Sequence, residues 1–149
     1  MNCRIKNKQM LKIVFAVAMI VLLISVFFLN SKGFIFLLVK QDKDHLTDIA
    51  RYIIESGEEY PDNSYYFCDI YYNDSINMVE FTTSYWGLVP SGVRKGFYYS
   101  PQNIPLGYNY GEISFNQYEE GWLWEEENGD NTIYTEKIVD YWFWFEARY

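Results

Sequence analysis

His45 is the only histidine in the 149-residue chain, and nucleophilic catalysis needs a base within reach of a hydroxyl or thiol. It falls at the start of an amphipathic segment with no nucleophile pattern around it, so a solvated polar residue is the simpler reading. Cys68 stands in the aromatic run FCDIYY, where a buried, inert thiol is the default. One histidine and one cysteine in that part of the chain cannot build a zinc cage, so a metal would have to be held by carboxylates. EEENGDN (125–131) offers oxygen ligands for calcium, but its spacing matches no EF-hand. The residues predict no catalytic centre, no bound metal and no cofactor.

Binding chemistry is better supplied. Glu125, Glu126, Glu127 and Asp130, with Glu112, Glu119 and Glu120 on neighbouring strands, would form an anionic patch for a basic partner. The alternative is a charged hairpin tip that keeps a sheet edge soluble. Trp122 and Trp124 alternate in GWLWEEE, and Trp142 and Trp144 alternate near the end of the chain. Such rings can stack on sugars, fill a small core or lie at a membrane interface. Arg94 and Lys95 form the only adjacent basic pair after residue 41. They would contact an anion or carboxylate, or balance acidic neighbours at a hairpin entry. The predicted partner-binding set is therefore Trp122, Trp124, Glu125, Glu126, Glu127, Asp130, Arg94 and Lys95.

These residues need elements to hold them. In QDKDHLTDIARYIIESGEEY (41–60), Leu46, Ile49, Ala50, Ile53 and Ile54 fall on one helical stripe. Asp42 or Asp44 can cap the start and Gly57 can end the helix in a left-handed turn. From Ser64 onward, aromatic and β-branched runs separated by turn residues predict an antiparallel meander. Strands are expected near 64–72, 76–85, 94–99, 110–118, 121–127, 132–138 and 140–148, with Asn128-Gly129 as a two-residue hairpin turn. In the last strand, Tyr141, Phe143, Phe145, Ala147 and Tyr149 would face the helix, leaving Trp142, Trp144, Glu146 and Arg148 on the other side.

The charge is divided. Residues 1–40 hold six of the 12 Lys and Arg and no acid, so 41–149 set six cations against all 20 acids, a balance of −14. An acidic region of this kind is repelled by nucleic acid. Arg4, Lys6, Lys8 and Lys12 precede IVFAVAMIVLLISVFFL (13–29), which as a helix would span about 25 Å, near the lower limit for a bilayer core. Positive charge before this run predicts a cytoplasmic N-terminus and an exported domain. The expected organisation is a basic segment (1–12), a single-pass transmembrane signal anchor (13–32), a membrane-proximal linker (33–41) and an α+β domain (42–149). A cleaved signal peptide ending at Ser31-Lys32-Gly33 is the alternative. Cys3 and Cys68 then lie on opposite sides of the membrane and form no disulfide within one molecule.

The pattern G-x-R-K-G-F-Y-Y-S-P, then W-x-W-E with an Asn-Gly-Asp turn, then F-E-A over roughly the last sixty residues resembles short bacterial proteins with an N-terminal anchor. That group has no established activity, so the resemblance implies no catalytic residue. It implies a bacterial inner-membrane protein whose C-terminal domain is periplasmic or extracellular. Small acidic envelope proteins of this kind include immunity proteins that neutralise toxins. The expected fold class is α+β, with an N-terminal transmembrane helix and one amphipathic helix packed on a largely antiparallel sheet. The expected function is non-enzymatic binding of a protein partner, cationic where charge matters, with an envelope glycan-binding module as the alternative. The sequence sets no oligomeric state.

Overall fold

The computed structural model describes residues 10, 12–21, 31–58, 60, 64–88, 91–107 and 113–149. Residues 12–21 belong to a first helix, α1, whose described side chains are all exposed. Among the described residues, no helix is long and apolar enough to cross a membrane. The expected single-pass anchor over 13–32, and the inner-membrane localisation built on it, are therefore corrected. Residues 22–30, the second half of the apolar run, lie outside the described residues, as do 1–9 with Cys3. Ser31 is extended (φ −74°, ψ 142°), and its hydroxyl accepts a 3.2 Å hydrogen bond from the Phe34 amide. Lys32 thus begins a new helix instead of finishing an anchor.

That helix, α2 (Lys32–Gln41), contains the FIFLLV run expected to be a linker. Ile35 and Val39, four residues apart on one face, are fully buried in the core. Helix α3 (Lys43–Ser56) follows directly and buries Leu46, Ile49, Ala50 and Ile53, the predicted stripe. Gly57 ends it at φ +68°, donating its amide to the Ile53 carbonyl. Asp42 sits at the N-cap position without making a side-chain cap. Its carboxylate instead accepts the Tyr65 hydroxyl.

Eight strands form one antiparallel sheet: β1 (Ser64–Tyr65), β2 (Cys68–Asn73), β3 (Met78–Leu88), β4 (Ser91–Tyr99), β5 (Asn116–Tyr118), β6 (Gly121–Glu125), β7 (Thr132–Val139) and β8 (Trp142–Arg148). Their order is β1-β2-β3-β4-β8-β7-β6-β5. Two four-stranded meanders therefore meet at the β4–β8 pair, and the last strand of the chain is central. The strand expected at 110–118 is reduced to β5, with 108–112 outside the described residues.

Both faces of β8 are packed. Trp142 and Trp144 turn toward the helices and join Phe81, Phe97, Ile35 and Leu46, while Phe143, Phe145 and Ala147 line the far face. This reverses the expected facing of the strand. A hydrogen bond from Trp142 Nε1 to Thr47 Oγ1 (3.1 Å) ties β8 to α3. On the helix face Phe81 and Phe97 stack at 4.9 Å, and on the far face Tyr98 and Phe143 stack at 5.3 Å. Leu106, Ile113 and Phe115 pack against the far-face cluster, so loops take the place of helices there.

Candidate binding surface

Helix α2 lies against β7 and β8, and α3 against β3. The helix side of the sheet is thus covered at one end and open at the other, with Lys32 at the border. Register defines the open part, because directly opposed residues share a face. One row runs Ser84–Lys95–Glu146–Tyr134–Leu123–Asn116, and the next runs Trp86–Val93–Arg148–Thr132–Glu125. Between them lies a cleft of about 380 Å³ whose lining includes Lys32, Tyr118, Leu123, Tyr134, Trp144 and Glu146.

Ion pairs hold this surface in shape. Glu146 accepts from Lys95 Nζ at 2.7 Å and from Arg148 Nη2 at 2.7 Å. Burial works against ionisation of Glu146, but the two cations more than offset it and hold its carboxyl below the usual range. Lys32 pairs with the buried Glu136. Its ammonium stands 5.5, 5.8 and 5.2 Å from the rings of Phe36, Tyr134 and Trp144, a cation–π arrangement that pins the start of α2 to the sheet. Tyr134 donates to Glu136 at 3.1 Å. Burial, with Glu136 adding to it, pushes the Tyr134 phenol up to about 12. Trp144 Nε1 is buried and has no acceptor among the described residues.

Glu125, Glu126, Glu127 and Asp130 are all exposed, in and beside the β6–β7 connection at the open end. That connection is a six-residue loop, 126–131, closed by Glu126 N–H to Asn131 C=O at 3.0 Å. Gly129 does not have the positive φ of the expected two-residue turn. Glu119 and Glu120 make the β5–β6 turn at the opposite end of β6, about 15 Å away at the usual strand rise. The acidic residues expected to form one patch are therefore divided, and Glu112 lies outside the described residues. Among the described residues no cluster of His, Cys, Asp and Glu is placed to hold a metal ion.

Trp122 and Trp124 lie on the far face, half-buried against the cluster of Ile133, Phe143 and Phe145. The Trp122 ring is 6.1 Å from that of Phe143. Of the basic pair, Lys95 is on the open face and bonded to Glu146. Arg94 is on the far face, where its Nη2 meets Glu80 Oε1 at 2.6 Å and its Nε meets Thr82 Oγ1 at 3.0 Å. Its guanidinium lies 4.9 Å from the Tyr71 ring. His45 is exposed, 5.8 Å from the Tyr65 ring. Cys68 is buried, and burial, with Asp69 adding to it, raises its thiol to about 12, which leaves it protonated and inert.

Tyr118, Leu123 and Tyr134 were not singled out in the sequence. Their signal was there: Leu123 alternates with the two tryptophans, and Tyr134 alternates with Ile133 and Thr135, so each marks the opposite face. A further cleft of about 540 Å³ lies at the end of α3, touching Ile53, Tyr60 and Ile70. Comparison with protein families, with curated proteins and with solved structures finds no match.

Proposed function

We propose that the protein is a non-enzymatic binding protein that docks a basic partner protein on the half of the sheet left open by its helices. The observation that carries this reading is the open row Ser84–Lys95–Glu146–Tyr134–Leu123–Asn116 beside an exposed acidic loop. Tyr134, Leu123 and Tyr118 supply apolar contact, and Glu125, Glu126, Glu127 and Asp130 supply charge that steers a cationic surface toward them. The net charge of −8 acts in the same direction at long range. A toxin neutralised by an immunity protein is one partner of this chemistry. The glycan alternative has less support, because Trp122 and Trp124 pack on the far-face core and Tyr118 meets Tyr134 edge-on at 84° instead of forming a flat platform.

The test is the salt dependence of binding to a lysine-rich peptide by the full chain and by a Glu125→Gln, Glu126→Gln, Glu127→Gln, Asp130→Asn variant. Wild-type affinity should fall at least about tenfold between about 50 and 300 mM salt, and the variant should lose most of that dependence. Equal, salt-insensitive affinities would remove the acidic loop from the binding surface.

A further inference from the structure

Strand β3 outruns its neighbour. Its pairing with β2 ends at Thr82, opposite Asp69, whereas its pairing with β4 continues to Leu88. A register shift between Thr82 and Ser84 marks the point where β3 runs on past β2 as an arm with a free outer side, while its inner side stays paired with β4 and, through β4, with β8. Among the described residues, nothing pairs with the outer side of Ser84–Leu88. The backbone groups of alternate residues on that side have no ladder partner.

The arm lacks the usual protection of a free edge. Ser84-Tyr85-Trp86-Gly87-Leu88 contains no charge and no proline, and Tyr85, Trp86 and Leu88 are 57, 82 and 86% exposed. The two outermost strands of the sheet are guarded. β1 has two residues, and β5 has three, followed directly by Glu119 and Glu120. Where β2 gives out, the β1–β2 turn adds the exposed rings of Tyr66 and Phe67. An apolar slot one strand wide therefore lies beside β3, at the same end of the sheet as the acidic loop.

The geometry points to this slot as a site of strand addition, filled by an extended segment of a partner protein that carries a cationic side chain. The inference rests on the reading of the protein as a receptor for a basic partner. Main-chain hydrogen bonds to Ser84–Leu88 would supply affinity, and alternate side chains would supply selectivity. Those turned to the helix side meet Trp86. Those turned to the far side meet a cleft of about 330 Å³ lined by Asp69, Tyr71, Tyr85 and Arg94. Arg94 is already bound to Glu80 and Thr82. Asp69 is exposed and belongs to no ion pair among the described residues. A lysine or arginine from the added strand therefore meets a carboxylate flanked by aromatic rings.

The probe is a capped peptide of about eight alternating lysines and valines, long enough to pair with the arm, beside the same peptide with alternate amides N-methylated. Amide hydrogen exchange is followed at Ser84–Leu88 in the full chain. The unmodified peptide should slow exchange there at least about tenfold, and the methylated peptide should not. Two results would overturn the proposal in favour of no strand addition: no slowing, or equal slowing by both peptides. Slowing that rises with protein concentration in the absence of peptide would assign the edge to a second copy of the chain instead. The two readings fail separately. Salt-dependent binding with an unprotected arm removes strand addition alone, and a protected arm with salt-insensitive affinity removes the acidic loop alone.

Discussion

At the scale of single residues, the buried ion pair on the far face sets a pH dependence. Glu80 is 1% exposed, and one of its oxygens has no partner among the described residues. Burial pushes its carboxyl up from 4.5 to about 7, although Arg94 and Thr82 pull the other way. The folded chain therefore keeps a proton that the unfolded chain loses between those values. Stability should fall as pH rises through that window and level off above it. Glu80→Gln should abolish the fall, as read by urea denaturation at several pH values. Arg94→Met should destabilise by about 3–5 kcal/mol at about pH 8, where it leaves a buried carboxylate unpaired, and by clearly less at about pH 5. Gly96 is fixed by space. A Cβ there would lie 2.2 Å from the Phe81 carbonyl oxygen and 2.9 Å from the Phe145 ring. Gly96→Ala should lower stability by about 1–3 kcal/mol in the same assay.

At the scale of elements, α2 and β8 make the sharpest predictions. A linker would tolerate truncation of Ile35, but in α2 this side chain is fully buried. Ile35→Ala should cost about 2–5 kcal/mol in denaturant unfolding. β8 joins the two meanders and buries four consecutive rings, Trp142–Phe145, each worth about 2–3 kcal/mol. A chain ending at Val139 should show no cooperative thermal transition. Helix α3 was legible in the sequence because its stripe is a local, one-sided pattern. The facing of β8 was not, because WFWF is apolar on both sides and alternation then gives no sign of which side meets a helix. FIFLLV reads equally well as a membrane-facing run and as a helix on a sheet, since hydropathy does not say what covers it. Ser31 was the available signal, an N-cap residue placed just before the run.

At the scale of the whole molecule, the proposed function rests on unequal coverage of one sheet. Two helices cover the end of one face that holds Phe81, Phe97 and Trp142, loops cover much of the other, and the end nearest the acidic loop stays open. Under the proposed function, that distribution moves the apolar contact away from the tryptophans favoured by composition and onto Tyr118, Leu123 and Tyr134. The acidic loop itself was legible, because charge run together in sequence stays together in space. The rows across the sheet were not, because they join residues up to about sixty positions apart through a strand order that a single sequence does not reveal. The most direct measurement compares the affinity of a Leu123→Ala, Tyr134→Ala variant with that of Trp124→Phe for the same lysine-rich peptide at low salt. If the open half of the sheet is the docking surface, the first should bind at least about tenfold more weakly with its fold intact, and the second should match the wild type. Weaker binding by Trp124→Phe together with unchanged binding by the double variant would place the surface on the opposite face and contradict the account.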